Sequence, residues 1–234
     1  MSNVTDLYCL PGTMCDERLW QPLQSLLNDV NLFHQVIPVA FSIDDILSEL
    51  AESLPDTPFH LLGFSMGGYL ATAFALRFPS RIKSLVVLSN LASGLLESEK
   101  QQRLVALNWV RKQGYSGIPR KKAQAMLGRH AAKNDDLVEL IQAMDKTLGE
   151  KILLQQLTAS LERPDLQNEI VQASFPVTVM TGGEDALLPE QDKQRYIAEN
   201  RIRYIEIAEV GHMLPLECPQ QIASILQQAL VVSS

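Results

Sequence analysis

The chain has 234 residues, of which 46% are hydrophobic and 20% charged, and its net charge at pH 7 is −7. This composition predicts one globular domain with a sizeable core, and the acidic balance argues against a nucleic-acid partner, because phosphate binding needs clustered Lys and Arg. No apolar run is long enough to predict a membrane span. The first residues lack the features of a secretory signal, so a cytoplasmic location is expected. The three cysteines have no C-x-x-C spacing, which argues against both a disulfide framework and a zinc site.

In the first part of the chain, short β-rich runs alternate with amphipathic stretches. This alternation predicts right-handed βαβ crossovers and a parallel sheet covered by helices on both faces. In chain order the predicted elements are a strand at 4–10, a helix at 18–27, a strand at 32–37, a helix at 43–54 capped by Ser42, a strand at 59–62, a helix at 66–78 and a strand at 84–88.

From residue 93 to residue 164 the strand pattern is absent and the apolar spacing becomes helical. Breaks at Gly114, Gly117 to Pro119, Asn134 and Gly149 divide this stretch into about four helices. Strands at 176–181 and 202–207 follow, with helices at 189–198 and 219–231. The sequence therefore predicts an α/β core formed by residues 1–92 and 165–234, with an all-helical segment, 93–164, inserted before the last two strands.

One motif predicts chemistry: Gly63-Phe64-Ser65-Met66-Gly67 has the pattern G-x-S-x-G. The pattern alone is weak, but here an apolar strand leads into it and a helix leaves it, as a nucleophile elbow requires. The glycines remove side chains that would collide in so sharp a turn, and the helix N-terminus favours developing negative charge. The alternative is a glycine-rich turn with an unreactive serine.

A serine hydroxyl needs a base, and the base needs an acceptor that orients it. Of the four histidines, His212 follows the strand 202–207 on a loop at the carboxyl edge of the sheet, where ligands bind in open α/β folds. His34 and His60 lie within predicted strands and are expected to be structural. Asp185, which follows the strand 176–181, is the expected orienting acid, with Glu184 as its competitor.

An acyl-transfer site also needs donors for an oxyanion. The backbone N–H of Met66, at the start of the helix, is one candidate. The loop after the first strand should supply the other, and Thr13 N–H is preferred to Met14 N–H because Gly12 lets the backbone approach.

With these motifs in this order, the sequence resembles the α/β-hydrolase superfamily over nearly its whole length. The matching segments are Leu10-Pro11-Gly12-Thr13 with Trp20, Gly63 to Gly68, Gly182-Gly183-Glu184-Asp185 with Pro189, and Gly211-His212 with Pro215 and Pro219. Two departures are visible. Pro11 stands where the family often has His, and the family's first antiparallel hairpin is missing. We therefore expect about six strands, all parallel, with the free edge either capped or used for self-association as a homo-oligomer.

The resemblance implies that residues 93–164 form a lid over the serine and that no metal or organic cofactor is needed. Apolar residues of the lid mainly pack onto the core, and a minority would line an acyl pocket. Expected pocket residues are Met14, Trp109, Met126, His130 and Met144.

Three functions follow as hypotheses. The first is hydrolysis of a small carboxylic ester or thioester through an acyl-enzyme on Ser65, with Asp185 and His212 completing a catalytic triad. The second is a carbon–carbon bond hydrolase or lyase that uses the same triad. The third is a non-catalytic protein that binds a small ligand and has kept the hydrolase fold.

Overall fold

The computed structural model describes residues 4–231, so the predicted core range extends past the described residues at both ends. Six parallel strands form one sheet in the order β2-β1-β3-β4-β5-β6. This confirms the α/β class and the all-parallel sheet. The strands are β1 (Thr5–Leu10), β2 (Val30–His34), β3 (Phe59–Phe64), β4 (Ile82–Leu88), β5 (Val177–Gly182) and β6 (Arg203–Ile207).

Residues 4–231 contain ten α-helices, and three of them have only four residues. They are α1 (Gln21–Gln24), α2 (Ile43–Ser53), α3 (Met66–Arg77), α4 (Glu97–Gln113), α5 (Arg120–Gln124), α6 (Asp135–Ala159), α7 (Gln167–Ile170), α8 (Glu190–Ile197), α9 (Leu214–Glu217) and α10 (Pro219–Val231).

The sheet is covered on both faces, because neighbouring residues of a strand enter different apolar clusters. Leu61 and Val87 belong to one cluster, whereas Leu62 and Val86 belong to the other. Side chains alternate between the faces of a strand, so the two clusters are the two layers between sheet and helices. Every residue of β3 and of β5 is buried, as the continuous apolar runs predict.

The largest local difference from prediction is the expected helix at 18–27. It is a 3-10 turn, Glu17–Trp20, followed by the short α1. Asp16 begins this turn, since its carboxylate accepts a hydrogen bond from Arg18 N. The strand predicted at 32–37 lies at Val30–His34 instead, and α7 was not predicted.

The helical insertion, residues 93–164, leaves the core after β4 and returns before α7 and β5. It contains α4, α5, a 3-10 turn at Ala131–Lys133 and α6. Gly149 has φ 73° and ψ −173°, which divides α6 into two helical segments at the break expected from the sequence. The start and end of the insertion pair with each other, since Leu166 N donates to Ala92 O.

His60 is a structural histidine, as predicted. It is 3% exposed, and its Nδ1 lies 2.7 Å from Ser84 Oγ on the neighbouring strand. Burial, and to a smaller extent the charge of Lys83, lower the pKa of His60 to about 4. His34 accepts a hydrogen bond from Trp20 Nε1 at 3.2 Å and is structural as well.

The lowered pKa of His60 predicts a pH-dependent stability. Between its ordinary pKa of about 6.5 and about 4, the unfolded chain binds a proton at His60 that the folded chain does not. The contribution of His60 is therefore complete above pH 6.5 and is lost as the pH falls toward 4. We expect the free energy of unfolding of wild type to decline more steeply than that of His60→Asn over this range, measured by urea denaturation. If the free energy of unfolding changed with pH in the same way in both proteins, the lowered pKa of His60 would be contradicted.

Candidate active site

Ser65 occupies a strained turn between β3 and α3. Its φ is 52° and its ψ −116°, a conformation that side-chain-bearing residues rarely adopt. The turn is possible because Gly63 and Gly67 have no side chains. A Cβ on Gly63 would lie 2.3 Å from Gly67 O, and a Cβ on Gly67 would lie 2.2 Å from Leu10 O. The sequence thus folds here into the predicted elbow, with Ser65 at the carboxyl edge of the sheet.

Ser65, His212 and Asp185 form one continuous hydrogen-bonded chain. His212 Nδ1 lies 2.8 Å from Asp185 Oδ2, and His212 Nε2 lies 2.9 Å from Ser65 Oγ. An ionised carboxylate only accepts hydrogen bonds, so Nδ1–H donates to Asp185 and Nε2 is left to accept from the Ser65 hydroxyl. His212 and Asp185 are each 4% exposed. The geometry suits proton transfer from the serine to the histidine.

The two neighbouring acids of the β5 loop have different partners. Asp185 Oδ1 accepts from Leu187 N at 2.9 Å, which leaves Oδ2 for His212. Glu184 instead accepts from Arg129 N at 2.7 Å and from Arg129 Nε at 2.5 Å. These contacts, with the backbone N–H first, lower the pKa of Glu184. Glu184 therefore binds the helical insertion, and Asp185 is the acid beside the histidine.

The loop after β1 lies next to the elbow, where Thr13 Oγ1 is 3.6 Å from Met66 Sδ. Met14 has φ 57°, and its N–H donates to Gln156 Oε1 of α6 at 2.9 Å. This contact occupies the N–H that was the alternative oxyanion donor. Within residues 4–231, neither Thr13 N nor Met66 N donates to another protein group, so both remain available as donors.

The loop that carries His212 is held against the helical insertion. His212 N donates to Met126 O at 2.8 Å, and His212 O accepts from Ser89 Oγ at 2.7 Å. The two backbones are in close contact, since a Cβ on Gly211 would lie 2.3 Å from Gly128 N. The segment of the insertion around Met126 and Gly128 thus helps to hold the His212 loop in place.

Glu217 joins the same elements through one half-buried carboxylate. Oε2 accepts from Gly128 N at 2.8 Å and from Gly211 N at 3.0 Å, and Oε1 accepts from Met213 N at 3.0 Å. Burial raises the pKa of Glu217, although these N–H groups act in the opposite direction. Sequence reasoning missed Glu217, Gln156 and Ser89, because nothing in their local patterns identifies the distant groups that they bind.

The expected pocket residues have different environments. Trp109 is 59% exposed and His130 is exposed, so neither lies in an enclosed pocket, contrary to expectation. Met144 is fully buried in an apolar cluster, because its position on α6 faces the packed interior. Met14 is buried in the loop beside the elbow, and half-buried Met126 is joined to His212 through its carbonyl. Met14 and Met126 are thus the expected residues that lie beside the elbow and the histidine loop, and their role in lining a pocket stays a prediction.

Within residues 4–231, no group of three or more His, Cys, Asp or Glu side chains could hold a metal ion. In that same range, no helix has the length and apolar character needed to cross a membrane. Cys9, Cys15 and Cys218 are buried free thiols.

A parallel sheet with an elbow serine, a histidine and an aspartate at its carboxyl edge defines a class of proteins, the α/β hydrolases. The family model described as alpha/beta hydrolase fold matches residues 38–219, and the chain belongs to this family.

Similar proteins fall in the same class. A pimeloyl-[acyl-carrier protein] methyl ester esterase of Shewanella woodyi is 25% identical over 202 residues, which cover 80% of this chain and 78% of that protein. A 2-hydroxy-6-oxononadienedioate/2-hydroxy-6-oxononatrienedioate hydrolase of Pseudomonas putida is 28% identical over 162 residues, 65% of this chain and 55% of that protein. A solved thermophilic esterase of Thermogutta terrifontis has the same fold, with a TM-score of 0.83 and 21% identity over 98% of this chain and 90% of that one. Together the family and these relatives support a hydrolase.

Proposed function

We propose that the protein is a serine hydrolase that cleaves a small carboxylic ester or thioester through an acyl-enzyme on Ser65. The observation that carries the proposal is the continuous chain from Ser65 Oγ through His212 to Asp185, with distances of 2.9 Å and 2.8 Å. The relatives named as methyl ester esterases support an ester as substrate.

In the first half-reaction, Ser65 Oγ attacks the carbonyl carbon while its proton passes to His212 Nε2. The carbonyl oxygen becomes an oxyanion, which Thr13 N–H and Met66 N–H stabilise. When the intermediate collapses, the bond to the leaving group breaks, and the imidazolium returns its proton to the departing alkoxide or thiolate. Asp185 stabilises the imidazolium while it exists.

In the second half-reaction, water takes the place of the serine as nucleophile. His212 accepts a proton from this water, and the resulting hydroxide adds to the acyl carbon. Collapse of the second intermediate releases the acid and returns the proton to Ser65. Both proposed oxyanion donors are backbone N–H groups, and displacing either one would lower the rate about 10²- to 10³-fold.

The test is intact mass after incubation with a fluorophosphonate, followed by rates on p-nitrophenyl esters of increasing chain length. We expect a single adduct on wild type and none on Ser65→Ala, together with at least about a 10³-fold loss of ester hydrolysis. The matched control is Ser48→Ala, because Ser48 is exposed and, within residues 4–231, its hydroxyl donates only to Asp44 O. Ser89→Ala is not a suitable control, because the Ser89 hydroxyl donates to His212 O and holds the histidine loop.

Two results would count against the proposal. An adduct that persists in Ser65→Ala would identify another nucleophile. A folded wild type with neither adduct nor turnover would favour the non-catalytic ligand-binding protein.

A further inference from the structure

The loop after β1 forms a tight turn beside the nucleophile. Cys15 N donates to Gly12 O at 3.1 Å and closes a four-residue turn, 12–15, which we call the oxyanion turn. Gly12 contacts the elbow, since a Cβ on Gly12 would lie 3.2 Å from Ser65 Cβ. Gly12 O points into the turn, so Thr13 N–H, on the opposite side of the same trans peptide, points out of it. A change in this turn therefore acts directly on the proposed donor.

The conformation of the oxyanion turn is unusual for its sequence. Met14, at the third position, has φ 57°, whereas Thr13, at the second position, has no positive φ. This is the pattern of a type II turn, whose third residue is usually Gly or Asn. A side chain disfavours positive φ, and a type I turn would avoid it by reversing the peptide between Thr13 and Met14. A contact from outside the turn is therefore needed to hold the observed form.

Gln156, on α6, supplies this contact. Its Oε1 accepts from Met14 N at 2.9 Å, and both residues are buried. The Met14 N–H belongs to the peptide that reverses between type I and type II turns, so Gln156 stabilises only the type II form. In a type I turn this buried N–H would lose its acceptor, which is unfavourable. Gln156 thus offsets the strain at Met14 and fixes the backbone to which Thr13 N–H belongs.

The helical insertion binds the segment between β1 and α1 at a second point. Arg18 Nη2 donates to Ala143 O at 3.1 Å and to Thr147 Oγ1 at 2.9 Å. Ala143 and Thr147 precede the break of α6 at Gly149, whereas Gln156 follows it. Both parts of α6 are therefore bound to this segment, and the placement of α6 on the core sets the position of the oxyanion turn.

The preceding residue, Gln155, attaches α6 to a different loop. Its Nε2 donates to Pro38 O at 3.1 Å and to Ala40 O at 2.6 Å, both in the loop after β2. Gln155 is buried like Gln156. The two glutamines thus have the same side chain, the same helix and similar burial, and they differ in the loop that each one holds. A comparison of the two separates attachment of the insertion from control of the oxyanion turn.

We propose that Gln156 is a positioning residue for the oxyanion donors, an inference that rests on the proposed function of Ser65. By accepting the Met14 N–H, Gln156 keeps the oxyanion turn in the form that presents Thr13 N–H to the oxyanion. Because Gln156 lies on α6, an insertion that moved off the core would take the acceptor with it. The pair of oxyanion donors is therefore complete only while the helical insertion is seated on the core.

The test is Gln156→Met, which removes the acceptor and keeps a side chain of similar size. The readouts are kcat and KM on a p-nitrophenyl ester and the inhibition constant of a trifluoromethyl ketone of the same chain length. Ser65 Oγ adds to the carbonyl carbon of this ketone, its proton passes to His212, and the carbonyl oxygen becomes an oxyanion. We expect kcat to fall and the inhibition constant to rise, each about 10- to 100-fold, with KM changed only a few-fold, because the donor is loosened and not removed.

Gln155→Met is the matched control, and a glycine at position 14 provides a rescue. Gln155→Met should lower the midpoint of urea denaturation as Gln156→Met does, while the inhibition constant of the ketone stays within a few-fold of wild type. Glycine adopts positive φ without strain, so the type II turn no longer depends on the acceptor. In a Met14→Gly background, Gln156→Met should therefore change kcat only a few-fold.

The outcomes separate this inference from the proposed function. If wild type hydrolyses the esters, equal effects of Gln155→Met and Gln156→Met on the inhibition constant would overturn the positioning role and leave the hydrolase in place. An unchanged kcat in folded Gln156→Met would do the same. If Gln156→Met does not fold, Gln156→Asn replaces it, because its amide is one methylene too short to reach Met14 N, and an unchanged inhibition constant there would also overturn the role. A folded wild type with neither turnover nor ketone inhibition would overturn both proposals.

Discussion

Replacing Asp185 with asparagine is expected to lower kcat about 10⁴-fold, with little change in KM. The reason lies in the two oxygens of Asp185. Oδ1 accepts from Leu187 N, so the carbonyl of an asparagine would take that position and its NH₂ group would face His212 Nδ1. Two donors cannot face each other, and the imidazole would then carry its proton on Nε2. In that tautomer His212 has no lone pair with which to accept the proton of Ser65.

Glu184→Gln is the matched control, because it neutralises the adjacent carboxylate of the same loop. Glu184 contacts Arg129 and not the histidine, so we expect kcat to change only a few-fold. The measurement is steady-state kinetics on a p-nitrophenyl ester, with the rate of fluorophosphonate labelling as a second readout. A larger loss in Glu184→Gln than in Asp185→Asn would reverse the assignment of the acid.

The parts of the site that the sequence predicts are those encoded by local pattern. Ser65 is preceded by an apolar strand and flanked by glycines, and Asp185 and His212 each follow a strand of the same sheet. Because parallel strands end at one edge, chain position alone brings these loops together. The same reasoning predicted six parallel strands and the place of the helical insertion.

The parts that the sequence does not predict depend on contacts between distant segments. Gln156 binds Met14 across 142 residues, and Glu217 binds Gly128 across 89 residues. Neither pairing has a local signal, because each depends on how the insertion seats on the core. Trp109 was expected to line a pocket but is exposed to solvent. Helical spacing alone does not tell which apolar residues of an insertion face solvent.

Glu217→Gln is expected to lower kcat about 10- to 100-fold although Glu217 does not touch the substrate site. Its two oxygens accept three backbone N–H groups, and an amide has only one such oxygen. Whichever way the amide turns, at least one N–H beside His212 loses its acceptor and faces another donor. We expect the histidine loop to shift, and the free energy of unfolding to fall by about 1–3 kcal/mol.

Glu209→Gln is the matched control for Glu217→Gln, because Glu209 is an exposed carboxylate of the same loop. It removes one negative charge from the loop without removing the acceptor of the N–H groups beside His212. It should leave kcat and the midpoint of urea denaturation close to those of wild type. A merely structural role for Glu217 would lower the denaturation midpoint while leaving kcat of the folded protein intact. A positioning role requires, in addition, slower fluorophosphonate labelling of Ser65 under conditions where Glu217→Gln is fully folded. That combination would make the helical insertion part of the catalytic apparatus, since Gly128 shares the carboxylate that orders the histidine loop.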